Sequence, residues 1–280
     1  MTESKSIGAI LVDEGRLSPE AAERIVQTQL TSNQLFGETG IRLGLLTADD
    51  LEFAIARQYD YSVILDHRDS HVSARLVAAH QPRSSQSEML RSVRTQLLLR
   101  WLETPQACKS LAVVSPAEGE GRSFLAANLA VVFAQLGHNT LLVDADFRKP
   151  QQHENFGLSN RQGLSTLLQG RGDASVIHSV PELKNLSVLP CGPIPPNPQE
   201  QLSHLRFAKL LNGLAAQYDM VIVDTPAGQH SADATAVALR CGASLAVARK
   251  DHTNTTDLKI LSTNLKRLGA NLLGSVLLEF

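Results

Sequence analysis

Cysteine is scarce: Cys108, Cys191 and Cys241 are the only three, they lie far apart, and none forms a C-x-x-C pair. That excludes a disulfide framework and a cysteine zinc site, and it fits a reducing compartment. Aromatic residues make up only 4% of the chain. Phe156, Phe207 and Trp101 follow no period that would stack nucleic-acid bases, so they read as core or interface residues. Charge of one sign is nowhere massed: the formal net charge is −2, and Lys and Arg are scattered. A nucleic-acid footprint is therefore missing. No apolar run approaches the roughly 18 residues of a membrane span, and Met1-Thr2-Glu3-Ser4-Lys5 opens no apolar signal segment. A cytoplasmic chain without a polynucleotide partner is expected, with any membrane association coming through a partner.

What is present is 280 residues with 43% hydrophobic content, enough for one sizeable α/β domain and a smaller second one. A small all-α domain is expected over residues 1–65, because Gly8, Gly15, Leu17, Ala22 and Gln29 recur as Gly37, Gly44, Leu46, Leu51 and Gln58 at a constant offset. In each unit a short apolar helix ends at Gly15 or Gly44. Ser18 or Thr47 then caps a second helix whose Ile25, Val26 or Ile55 packs inward. Pro19 takes a first helical position, where its missing N–H costs nothing. Residues 66–87, rich in His, Ser, Arg and Gln with Pro82, read as a linker holding one short helix. His67 and His71 stand there without a third ligand nearby and read as a solvated pair.

Over residues 88–280 strands and helices alternate, the pattern of a doubly wound, mostly parallel α/β sheet of P-loop NTPase type. Strands are expected at 111–114, 140–143, 186–189, 220–223, 244–248 and 272–278. Helices are expected at 124–136, 164–168, 202–217, 232–239 and 257–268, with Gly137 and Gly269 as stop signals and an irregular proline-rich loop from Gly192 to Pro198.

Three stretches carry chemistry. Ala117-Glu118-Gly119-Glu120-Gly121-Arg122-Ser123 lies between a strand and a helix, where backbone N–H groups converge on an anion and Gly119 and Gly121 allow its close approach. Against G-x-x-x-x-G-K-[ST], Pro116 replaces the first Gly and Arg122 the Lys. Arginine keeps the charge and grips phosphate with two parallel hydrogen bonds, yet its planar head does not reproduce a lysine point charge. Binding is expected to survive the exchange; turnover is the step it touches. Ser123 is placed to give its hydroxyl to Mg²⁺. Asp144 and Asp146 follow Leu141-Leu142-Val143, and Asp224 follows Met220-Val221-Ile222-Val223, at the strand ends where ligands of open α/β sheets collect. The loop alone equally describes an ordinary turn, and one Asp a helix cap. Three carboxylates beside the loop favour a nucleotide site.

In combination these stretches resemble the bacterial tyrosine kinases of polysaccharide synthesis, specifically the EpsG-type chain-length-determinant tyrosine kinases of exopolysaccharide operons. The resemblance covers nearly the whole chain and rests on Val114 to Ala130, Leu142 to Pro150, Pro195 to Glu200, and Asp224-Thr225-Pro226. It implies a protein-tyrosine kinase using ATP and Mg²⁺. Arg122, Asp144 and Asp146 would be catalytic, with Asp144 accepting the tyrosine hydroxyl proton. Gly119, Glu120, Gly121, Arg122, Ser123 and Phe124 would bind the nucleotide, and Ser123, Asp146 and Asp224 the metal. Glu88, Arg91 and Arg94 match the E-x-x-R-x-x-R signature of ring-like self-association and share one helix face. By charge pattern alone they equally describe a solvated face.

The process implied is exopolysaccharide chain-length control by a cytoplasmic protein peripheral at the inner membrane. Its partners would be a membrane-embedded chain-length determinant as activator, a protein substrate carrying tyrosine, and further copies of itself in a homo-oligomer. Many relatives end in a tyrosine-rich tail, whereas this sequence stops at Leu278-Glu279-Phe280 and holds only Tyr59, Tyr61 and Tyr218. Tail phosphorylation is therefore not expected, and the target would be another protein. The N-terminal repeat is similar to the N-terminal domain of type II secretion ATPases, some of which bind cyclic di-GMP through paired R-L-G motifs. Here Ser6-Ile7-Gly8 and Leu35-Phe36-Gly37 stand at those positions without arginine, which favours an interaction domain over dinucleotide sensing. Two rivals stay open: a non-catalytic, nucleotide-dependent assembly switch of the export machinery, and a plain ATPase of the septum-positioning type. The second is disfavoured by Ala117, where such ATPases carry lysine.

Overall fold

The repeat in the first sixty residues becomes two helical pairs of matching geometry. In the computed structural model, which describes residues 5–32, 34–59, 61–64, 70–103, 109–228 and 232–279, α1 (Ile7–Asp13) and α2 (Pro19–Ser32) are echoed by α3 (Phe36–Arg42) and α4 (Ala48–Gln58). Gly15 and Gly44 both take φ +68°, the left-handed stop that glycine adopts freely. Ser18 caps α2 by accepting from Ala21 N at 3.2 Å, and Thr47 caps α4 by accepting from Asp50 N at 3.1 Å. Ile10, Leu11, Leu17, Ile25, Leu46 and Ala54 form the core of this unit. Of the residues expected to pack inward, Ile25 does, whereas Val26 is exposed. Gly8 and Gly37 serve helix contact: a Cβ on Gly8 would sit 3.0 Å from the Phe36 ring, and one on Gly37 would overlap the Leu51 side chain.

The chain divides into two compact units, Met1–His67 and Arg68–Phe280. Cys108 and His67 lie outside the described residues. The stretch expected as a linker over 66–87 carries α5 (Val77–His80) and the start of α6 (Ser85–Leu97), and its described part packs within the second unit. The reason is a set of backbone contacts that composition does not show. Asn128 accepts from Ala78 N at 3.0 Å and donates to Arg75 O at 3.1 Å, and Gln135 donates to Ala78 O at 2.9 Å.

In the second unit the elements after α6 are β1 (Ser110–Val114), α7 (Arg122–Gln135), β2 (Thr140–Asp144), α8 (Gln152–Asn155), α9 (Leu164–Leu168), β3 (His178–Ser179), β4 (Leu186–Leu189), α10 (Pro198–Ser203), α11 (Leu205–Gln217), β5 (Met220–Asp224), α12 (Asp233–Ala238), β6 (Ala243–Arg249), α13 (Thr255–Arg267) and β7 (Leu272–Leu278). They build a seven-stranded sheet in the order β3-β4-β2-β5-β1-β6-β7. Every pairing is parallel except the short edge pair β3–β4. Strands β1, β2 and β5 are buried along their whole length, as continuous apolar runs covered on both faces require. Helix α7 is apolar nearly all round and packs on β1, β2 and β5, which fixes the loop before it over the sheet centre.

Three expected elements differ by two residues or more: helix α13 begins at Thr255, ahead of the expected 257, because Asn254 caps it. Helix α7 begins at Arg122, two residues before Phe124, because Gly121 at φ +94° is its N-cap. The helix expected at 202–217 is two, since His204 turns extended at ψ 148° and its ring accepts from Arg206 N at 3.1 Å.

Candidate nucleotide-phosphate site

The register of the sheet places the site. Asp144 lies opposite Asp224 on neighbouring strands, and Val113 of β1 also pairs with Asp224. The loop leaving β1 therefore begins beside both carboxylates. Gly119 and Gly121 take φ +75° and +94°, conformations that side chains resist. Glu120 is fully buried with its carboxylate turned inward, accepting from Ala117 N at 2.7 Å and from the Thr253 hydroxyl at 2.7 Å. The end of β6 adds Arg249 Nη1 donating to Gly119 O at 3.1 Å. The loop is thus held by side chains of the chain itself.

Arg122 is 7% exposed. Its Nε donates to Thr225 O at 2.9 Å, its Nη1 to Ser115 Oγ at 2.6 Å and Ala117 O at 2.7 Å, and its Nη2 stands 3.8 Å from Asp146 Oδ2. The cation expected on phosphate is engaged with the loop itself and the tips of β1 and β5.

The carboxylates differ in environment. Asp146 Oδ1 accepts from Arg148 N at 3.0 Å and Lys149 N at 2.9 Å. Asp144 is fully buried and accepts from Asp146 N, Gln151 N and Gln152 N at 3.2, 3.1 and 2.9 Å. Burial first, and then the Asp224 charge, push the Asp144 carboxyl well above the usual range, against the pull of those amides. Asp224 is pushed up to about 6, chiefly by burial, while Arg122, Gln152 and the Ser123 hydroxyl hold it down. Its Oδ2 accepts from Gln152 Nε2 at 2.7 Å, and its Oδ1 is buried with no hydrogen-bond partner. That orphaned oxygen beside the Ser123 hydroxyl fits a divalent cation. Among the described residues no three His, Cys, Asp or Glu side chains form a metal cluster by themselves.

A cleft of about 860 Å³ opens over the loop, and its lining includes Glu118, Gly119, Glu120, Gly121, Arg122, Ser123, Phe124, Asp146, Arg148 and Lys149, with Arg75, Gln86, Asn128 and Arg249. The expected nucleotide-binding residues share this one cleft, while Asp144 and Asp224 lie outside its lining. Glu88, Arg91 and Arg94 stand apart on α6: Arg91 pairs with Glu88 at 2.7 Å and donates to Pro82 O, and Arg94 donates to Val132 O at 2.7 Å. Cys191 is buried, and burial raises its thiol far above the reactive range. The motifs left out Gln152 and Asp233 and gave Ser115 no role. Asp233 is fully buried, and its Oδ2 accepts from Arg148 Nε at 2.7 Å.

A parallel sheet, a glycine loop entering α7 and acidic tips on β2 and β5 define a P-loop nucleotide-binding domain. The family model described as cellulose biosynthesis protein BcsQ matches residues 108–268. Tyrosine-protein kinase YwqD of Bacillus subtilis is 42% identical over 168 residues, 60% of this chain and 70% of that protein. The crystal structure of the chimerical protein CapA2B2 aligns with TM-score 0.69 at 36% identity, covering 81% of this chain and 97% of that one. The kinase domain of Escherichia coli tyrosine kinase ETK aligns with TM-score 0.71 at 30% identity, covering 78% and 84%. The chain belongs to the bacterial tyrosine kinase family.

Proposed function

We propose that this chain is a protein-tyrosine kinase that transfers the γ-phosphoryl group of Mg-ATP to a protein, acting in exopolysaccharide biosynthesis and chain-length control. The observation that carries this reading is the convergence of the glycine loop with Asp146 at the cleft surface and Asp144 and Asp224 directly beneath. The names of the relatives support tyrosine as the acceptor class. Loop amides from Gly119 to Phe124 and the start of α7 bind the phosphates. Ser123, Asp146 and Asp224 hold Mg²⁺, which when bound neutralises charge on the transferred group.

Asp144 takes the acceptor proton. Its raised proton affinity suits it to a phenol of ordinary pKa about 10. Its three amide donors all come from residues 146–152, so that segment has to open before the acceptor reaches it. Glu88, with 67% of its side chain exposed, is the member of the α6 set that faces outward, which supports a subunit contact with Arg91 and Arg94 shaping it from behind. A membrane-embedded chain-length determinant is the activating partner and holds the chain at the inner membrane. The 1–65 domain is an interaction or regulatory module.

One observation favours a second reading, the non-catalytic assembly switch: the Arg122 guanidinium is held by Thr225, Ser115 and Ala117. Incubation with labelled ATP, Mg²⁺ and the cytoplasmic segment of the membrane partner separates the two. Phosphotyrosine that disappears in Asp144→Asn supports the kinase. Nucleotide-dependent assembly without label replaces it with the switch.

A further inference from the structure

Gln152 belongs to no motif, yet three parts of the site converge on it. It is fully buried at the first position of α8. Its backbone N–H donates to Asp144 Oδ2 at 2.9 Å, and its Nε2 donates to Asp224 Oδ2 at 2.7 Å and to Ser123 O at 3.2 Å. Its Oε1 accepts from Asn155 Nδ2 at 3.0 Å. A carboxylate and a carbonyl on one side and an amide donor on the other fix the orientation of the side-chain amide, since only Nε2 can face the two acceptors. The tip of β2, the tip of β5 and the first turn of α7 are thereby tied through one residue.

The tie has a directional consequence. With Oδ2 held by Gln152, the Asp224 carboxylate is stopped from rotating, and Oδ1 remains buried without a partner. Such an oxygen carries a desolvation penalty that a bound ligand would remove. The same amide holds the Ser123 carbonyl, whose hydroxyl is the other group beside Asp224.

We propose that Gln152 is a positioning residue for the divalent cation: it clamps Asp224 Oδ2 and the Ser123 backbone so that Asp224 Oδ1 and the Ser123 hydroxyl face the same metal. This rests on the Mg-nucleotide reading above. Hydrogen bonds that orient a metal ligand are worth about 10- to 100-fold in metal affinity. A residue that merely fills the core would contribute to stability and leave metal dependence alone.

The test uses the full chain and calorimetry with ADP, in EDTA and across a Mg²⁺ titration, with thermal melts to confirm folding. Gln152→Leu keeps most of the volume and removes the N–H donors. It is expected to raise the Mg²⁺ concentration at half effect by about 10-fold or more, while ADP affinity in EDTA changes by less than about 2-fold. Asn155→Ala releases Oε1 without touching either carboxylate and is expected to shift the Mg²⁺ midpoint in the same direction by a smaller factor. It keeps the proposal open to refutation should Gln152→Leu fail to fold. An unmoved midpoint in the folded variants, or equal weakening with and without Mg²⁺, overturns the proposal. ADP uptake by the native chain without any Mg²⁺ dependence also overturns it and leaves the nucleotide reading standing. No uptake under either condition removes both.

Discussion

Asp224 is a residue whose ionisation depends on its surroundings. Burial raises its carboxyl from 3.8 to about 6, so the folded chain retains a proton that the unfolded chain has released between those values. Its contribution to stability is complete below about pH 4 and is lost as the pH rises through about 6. Asp224→Asn is therefore expected to stabilise the ligand-free protein near pH 8 by on the order of 3 kcal/mol, with the gain vanishing near pH 4 and the Mg²⁺ dependence of ADP binding lost. Melts across that pH range check the sign; a variant no more stable than the native chain at pH 8 would remove the buried ionised carboxylate from the account. Arg122 makes a separate prediction. Arg122→Lys gives up most of a three-acceptor fork, so the ligand-free protein should lose about 1–2 kcal/mol. The freed ammonium should raise phosphotransfer on the order of tenfold, or about 1.4 kcal/mol of barrier. Unchanged transfer in Arg122→Lys would place the brake elsewhere. The loop and its aspartates were legible because glycine at a strand-to-helix turn and carboxylates at strand ends are local signals. Gln152 and Asp233 carry none: Asp224 lies 72 residues from Gln152 in the chain, and Arg148 lies 85 from Asp233.

Among the elements, the loop between β1 and α7 is held by a device that the glycine spacing does not reveal. Glu120 reads as one more loop residue, but its carboxylate faces inward and joins Ala117 to Thr253 at the end of the turn before α13. Glu120→Ala should cost about 1–3 kcal/mol by leaving a loop amide unpaired, and it should weaken ADP binding because the cradle is no longer preshaped. Denaturant titration and calorimetry measure the two, and a loss of stability without any loss of affinity would separate loop shape from binding. Element existence was legible wherever a period or a punctuating residue was strong. The helical repeat and the buried strands β1, β2 and β5 are such cases, the strands because both faces are covered. The break at His204 was not, since nothing apolar is interrupted there and the ring nitrogen of His204 itself caps the next helix. The two-residue strand β3 is too short for any pattern.

At the scale of the whole molecule, the boundary between the two units is where composition misleads. A stretch rich in Ser, Arg, Gln and His looks solvated, yet Leu76, Ala78 and Ala79 are buried, and the α5 backbone is held by Asn128 and Gln135 of α7. Polar side chains can point outward from a segment whose backbone and few apolar groups cover a core helix. A fragment spanning 68–280 should therefore melt in the same transition as that unit in the full chain. One spanning 88–280 would uncover α7 and lose the burial of Leu76 together with three side-chain-to-backbone hydrogen bonds. That amounts to about 5 kcal/mol, or on the order of 10 °C for a domain of this size. Scanning calorimetry of the two fragments distinguishes the boundaries. Equal melting temperatures would mean that residues 68–87 add nothing to the nucleotide-binding unit, whereas a lower one for the shorter piece makes α5 an integral layer over the helix that carries the phosphate loop.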